Sequence, residues 1–233
     1  MEIKQLLEVG MPLVNYLRDH YNENTTAIVT QNSVELMEGA VSISFGDTEK
    51  SVDDDGKVEL STLAPGAVFK IAEHDFIVLE QMDGQTAVIS KDLMKENVRF
   101  GNNRNYLESG LRRVMEEEIQ PIIEAAVGAD NLVEHEVELI SVDMQNEFGT
   151  LVSKVRPISF EDARKHNDLL VNKNLPDWYW TLTPWSTAER GWDRSVAVVS
   201  PRGIIGRDYC VNFCGVRPFC ILKSNIFVSK GEQ

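Results

Sequence analysis

The chain has no long apolar run. Nowhere in its 233 residues is there a stretch approaching the roughly 20 apolar residues of a membrane-crossing helix, so no membrane association is expected. The opening Met1-Glu2-Ile3-Lys4 has neither the basic nor the apolar region of a secretory signal. A cytoplasmic or virion-associated location is therefore expected. Cysteine is scarce: Cys210, Cys214 and Cys220 are odd in number and clustered, which points to free thiols in a reducing compartment. Basic residues are outnumbered, giving a net charge of −14, with 12 acidic and 4 basic side chains within residues 1–61. Phosphate binding needs a basic face, so direct nucleic-acid binding is disfavoured. A basic partner protein, or imitation of nucleic acid, is compatible with this balance.

The familiar catalytic templates are also missing. His20, His74, His135 and His166 are scattered, and Glu134-His135-Glu136 lacks a second histidine at metalloprotease spacing. There is no G-x-S-x-G, P-loop or G-x-G-x-x-G. Asp75 and Asp143 are candidates for a carboxylate pair that nothing in the sequence brings together. Asp53-Asp54-Asp55-Gly56 lacks the alternating ligands and distal glutamate of a calcium loop. No catalytic residue, metal or other cofactor is assigned.

The residues present divide the chain in three. Over 2–21, Ile3, Leu6, Leu7, Leu13, Val14 and Leu17 recur at helical spacing, interrupted by Gly10 and Pro12. Runs at 25–30 and 33–37 predict a hairpin around Gln31-Asn32. This appendage, residues 1–45, is too small to bury much alone, and it is a candidate for homo-oligomer contacts. Residues 46–61 are polar and acidic and read as a linker. From 62 to 229 a larger α+β domain is predicted. Its first hairpin turns at Asp83-Gly84. A helical period runs over 106–127, capped by Ser109 and divided at Pro121. A strand is expected over 133–141. A helix then opens at Ser159, with Asp162 near the capping-box position. Short strands follow around 179–183, 195–200, 204–213 and 217–222.

Six motifs in this region carry a resemblance. They are Val88-Ile89-Ser90-Lys91; Ser109-Gly110-Leu111-Arg112; Asp143 with Glu147-Phe148-Gly149; Phe160-Glu161-Asp162-Ala163; Trp180-Thr181-Leu182-Thr183-Pro184; and Gly215-Val216-Arg217-Pro218. In order and spacing they resemble a domain of unknown function widespread in gut Gram-positive bacteria and their phages. The end of that domain looks like the C-type-lectin-like fold, shared with formylglycine-generating enzymes and phage variable receptor-binding proteins. The first 45 residues resemble a small prophage-type protein. The resemblance implies a phage or prophage protein whose ligand is a host or phage protein, or a glycan.

Trp180, Pro184, Gly203, Gly215, Arg217 and Pro218 read as structural. Gly215 suits a positive φ or a close approach, Arg217 suits several hydrogen bonds or a carboxylate, and Pro218 suits the start of an edge strand. The ligand-binding candidates are Trp185, Arg190, Trp192 and Arg194, which mix aromatic and charged groups without strand periodicity, as interface hot spots do. Arg202, Arg207, Asp208 and Asn212, with Tyr209, join them if the lectin-like loops converge. Two alternatives stand beside a binding role. The acidic surface suits an intracellular anti-defence inhibitor of the anti-CRISPR type. The likeness to formylglycine-generating enzymes implies copper held by Cys210 and Cys214, although four residues on a straight strand separate the thiols by roughly 13 Å.

Overall fold

The computed structural model describes residues 12, 14–18, 25–29, 34–38 and 56–231. The chain forms two compact units, Met1–Thr48 and Glu49–Gln233. In the first, residues 14–18 are helical, and strands β1 (Thr25–Val29) and β2 (Val34–Glu38) pair antiparallel. Pro12 is helical too, and the other residues of the helix expected over 2–21, Gly10 among them, lie outside the described residues.

The second unit begins earlier than the expected linker allows. Residues 46–55 lie outside the described residues, but β3 (Val58–Glu59) already belongs to the fold. Val58 and Leu60 are buried, and Leu60 donates its N–H to the Ile226 carbonyl at 2.8 Å. The preceding acidic run concealed this two-residue apolar alternation.

The strands then follow in order. First come β4 (Val68–Ile71), β5 (His74–Met82), β6 (Gln85–Ser90) and β7 (Lys95–Arg99). A helical segment separates these from β8 (Leu132–Val133), β9 (His135–Ile140), β10 (Asn146–Ser153) and β11 (Val155–Pro157). After two short helices come β12 (Tyr179–Pro184), β13 (Ser195–Val199) and β14 (Ile205–Tyr209). The chain closes on β15 (Phe213–Val216), β16 (Pro218–Lys223) and β17 (Phe227–Lys230). An eight-stranded sheet has the order β11-β16-β6-β5-β4-β17-β3, with β8 also on β16. A five-stranded sheet has the order β14-β13-β12-β15-β7, and β9 and β10 form a separate hairpin. The architecture is mixed α+β. Among the described residues the one parallel pairing joins β12 to β15 at Tyr179 and Gly215.

Strand alternation explains the two cores. On β5, Phe76 and Val78 enter one apolar cluster while Ile77 and Leu79 enter the other; on β6, Val88 faces the first and Ile89 the second. Both faces of the sheet are covered, so these strands read as continuous apolar runs rather than as alternation. The first face is covered by a helix in three parts: Gly110–Arg113, a π-helical stretch Val114–Ile119, and Gln120–Val127. Its buried stripe is Leu111, Met115, Ile119 and Ile123. In a regular α-helix each four-residue step drifts about 40° around the axis, so such a stripe would wind off the core. The wider π-turn draws it back. Pro121, which cannot donate an N–H, sits directly after that turn. The second face is covered by helices Phe160–Lys165 and Asn167–Leu170. Ser159 and Asp162 form the expected capping box.

Two expectations from the closing strands are corrected, and a third takes the second of its two expected forms. The strand expected over 204–213 is two strands, β14 and β15, split by a turn at 210–212. Pro218 begins a strand but not an edge one, since β16 lies between β11 and β6. Its missing N–H is tolerated because Pro218 is the first residue of the strand and faces Pro157, which lacks one too. Gly215 is absent from the positive-φ residues. It is needed for close approach, because a Cβ there would lie 2.6 Å from a Leu93 methyl carbon.

The chain passes from the five-stranded to the eight-stranded sheet at Arg217, which is fully buried. Its Nε donates to the Ser90 carbonyl at 2.8 Å. Its Nη1 reaches the Leu170 carbonyl at 3.1 Å and the Tyr179 hydroxyl at 3.2 Å. The guanidinium also lies 4.8 Å from the Tyr179 ring centroid. Arg217→Lys keeps the charge but loses the planar fork. It is expected to lower stability by about 2 kcal/mol, read as a fall in urea midpoint at unchanged slope.

Candidate binding surface

The loop at 185–194 joins β12 to β13 and is closed by its own backbone. Trp185 N–H donates to the Ser195 carbonyl at 2.8 Å, Gly191 N–H to Ala188 at 2.9 Å, and Trp192 N–H to Thr187 at 3.1 Å. Gly191 takes a φ of +81°, which the tight return requires. Trp192 is thereby held half-buried beneath Arg207, whose guanidinium carbon lies 4.1 Å from the indole centroid. Trp185 is half-buried, and Arg190 and Arg194 are exposed.

The β14–β15 turn meets this loop. Tyr209 opposes Ser195, and Cys210 N–H donates to the Arg194 carbonyl at 2.7 Å. Asp208 accepts from Asn212 Nδ2 at 2.7 Å. Tyr209 and Phe213 are 52% and 59% exposed, the opposite of what their apolar rings favour. Asp208, bonded to Asn212, points to the opposite face of β14, toward the Cys214 thiol at 3.7 Å, whereas Arg207 converges with Trp192. Arg202 does not. It sits on the 200–204 turn at the far end of β13 and β14, where Val199 opposes Ile205. That turn is pinned to a helix by Asn167 Nδ2, which donates to the Gly203 carbonyl at 2.8 Å. Gly203 has a φ of +77°, and a Cβ there would lie 3.1 Å from both Asn167 Oδ1 and a Val171 methyl carbon.

Arg190 also has a local role. It pairs with Asp143, which additionally accepts from Ser141 at 2.5 Å and Ser186 at 2.6 Å. Burial acts to raise the Asp143 pKa, but the two hydroxyls and Arg190 outweigh it and hold it at about 2. Asp143 thereby ties the β9–β10 hairpin to the 185–194 loop. Asp75 has its own cations, Lys70 at 3.0 Å and Lys91 at 4.0 Å, so each member of the suspected carboxylate pair is separately neutralised.

A serine, a histidine and an aspartate do meet beside a cavity of about 290 Å³. They are wired for structure. Ser159 Oγ donates to Asp162 at 2.6 Å. Arg156, buried, donates to Asp162 at 2.9 Å and to His135 Nε2 at 2.8 Å. A hydrolytic triad needs histidine between serine and carboxylate; here Ser159 bonds the carboxylate directly, and Arg156 stands between that carboxylate and His135. Burial and the Arg156 charge together lower the His135 pKa to about 4.

The two cysteines suspected of holding copper sit on different elements. Cys210 lies on the turn and Cys214 on β15, both buried. Burial, then Asp208 and Asp177, push the Cys214 thiol well up; burial raises Cys210 against the pull of Arg194 and Arg99. A metal ligand must be thiolate. Among the described residues no three His, Cys, Asp or Glu side chains gather as a metal site.

Trp180 and Pro184 are buried in the fold, and Trp180 Nε1 donates to the Val98 carbonyl at 2.7 Å. Two surface residues were missed. Phe213 was legible, because Cys214 is apolar and alternation must turn its neighbour outward. Arg99, opposite Phe213 in the ladder, had no local signal. Comparison with protein-family models, curated proteins and solved structures finds no match to this chain.

Below its unfolded pKa of 6.5, His135 takes up a proton more readily in the unfolded chain. Stability is therefore expected to fall between about 6.5 and about 4. His166, lowered by burial and Lys165, acts in the same direction. His135→Gln, which still offers Arg156 an acceptor, should flatten the fall in melting temperature across that range.

Proposed function

We propose that this chain is a non-enzymatic binding protein, of phage or prophage origin as its motifs imply. Its C-terminal α+β domain is C-type-lectin-like in this proposal, and it recognises a host or phage protein, or a glycan. The observation that carries the proposal is the closed 185–194 loop holding Trp192 under Arg207 at 4.1 Å, beside exposed Tyr209 and Phe213. A surface already ordered by its own hydrogen bonds loses little conformational freedom on binding. Trp, Tyr and Arg are also the side chains that dominate hot spots. Residues 185–213 hold four arginines against three carboxylates, so this end is locally cationic on a chain of net charge −14. The acidic-inhibitor alternative draws on residues 35–59, most of which lie outside the described residues.

The test is capture of partners by the immobilised full chain from host extract, from virion proteins and on a glycan array. Trp192→Ala is expected to lose the retained partner by at least about tenfold. Arg164→Ala, an exposed arginine elsewhere, should retain it. If charge reversal within 35–59 abolishes capture while Trp192→Ala leaves it intact, the loop is not the site and the acidic surface is.

A further inference from the structure

Resting on the binding role proposed above, we infer that the outer edge of β14 takes up an extended acidic segment of a partner protein as an added strand. β14 ends the five-stranded sheet, and among the described residues no strand pairs with its other edge. The N–H and C=O groups directed along an open edge are a template for a further strand. Gly206 and Asp208 bond to β13, and Tyr209 spends its N–H on Asp208 Oδ1 and its carbonyl on Asn212 N–H, so the open groups are those of Ile205 and Arg207.

The two faces of β14 differ. Gly206 and Asp208 face inward: a Cβ on Gly206 would lie 3.0 Å from the Trp178 ring, and Asp208 meets the Cys214 thiol at 3.7 Å. Ile205, Arg207 and Tyr209 fall on the opposite face. There Arg207 is held by Trp192 and Tyr209 is exposed. The inner contacts fix the strand, so an incoming chain meets a rigid edge.

Charge complementarity selects the occupant. Arg207, on β14 itself, and Arg194, beside the partner strand β13, are both exposed, with Arg194 4.0 Å from Asp193. Arg207 covers the Trp192 ring and, among the described residues, is in no ion pair. Carboxylates on a partner strand would supply the missing counter-charge. A glycan fits less well. Sugars need an open aromatic face, and one face of Trp192 is covered by Arg207 at 4.1 Å.

The probe is a ten-residue peptide of alternating glutamate and valine, titrated into the full chain. Tight binding that weakens with salt is expected. Arg207→Glu should weaken it at least tenfold, as should replacing the peptide's glutamates by glutamine. N-methylation of alternate peptide bonds should abolish it, with no change to the protein. Arg207→Gln and Tyr209→Ala serve if the charge reversal melts early. Equal binding by the glutamine or N-methylated peptide overturns the inference, as does heparin binding where the peptide does not bind. Trp192-dependent capture without peptide binding sinks this inference alone; capture indifferent to Trp192 sinks both.

Discussion

One buried cation holds the domain together. Arg217 stands where the chain leaves β15 for β16, and its guanidinium touches β6 through Ser90, a helix end through Leu170, and β12 through Tyr179. Burial pulls its pKa down from the usual arginine value, countered by Tyr179 and by Asp92. No carboxylate bonds to it directly, and Nη2 has no partner. A charge so placed is tolerable only because several dipoles converge on it. Those dipoles come from distant parts of the chain, so the two sheets and the Asn167–Leu170 helix must dock together to satisfy it.

The six motifs describe this same framework. Ser90 of the first accepts from Arg217 of the last. Ser109 caps the long helix by accepting from Arg112 N–H. Phe160 N–H donates to Thr183 Oγ1 at 3.0 Å, joining the fourth motif to the fifth. Asp143 clamps Arg190, while Glu147 meets buried Arg104 at 2.5 Å. Arg104 also lies 4.9 Å from the Phe148 ring. The motif side chains are therefore tied up within the fold. In the proposed binding role, recognition falls to the residues between motifs, above all Trp192, Arg207, Tyr209 and Phe213.

Local signals read well where the physics is local. The Asp83-Gly84 hairpin, the Ser109 cap and the Ser159–Asp162 capping box depend on neighbours within a few residues. Misreadings occurred where a distant partner decides. Val58 and Leu60 became core only through pairing near Phe227 and Ile226. Arg202 stands apart from the other candidates, exposed on a turn that Asn167 holds through Gly203, 36 residues away in sequence. Pro218 is central rather than edge because Pro157 supplies a matching residue without an N–H.

The sequence by itself determined the alternation, the caps and turns, the acidic balance and the aromatic density of the last quarter, since each is a property of composition or short spacing. Tertiary structure alone decided which of those aromatics and arginines work at the surface. Trp180 went to the core and Trp192 to a cation-covered ledge. Arg217 became the internal staple, while Arg207, ten residues earlier, stayed in solvent. These side chains have the same chemistry. They were separated by strand parity and by where the chain crosses between sheets, and neither can be read until the ladders are paired.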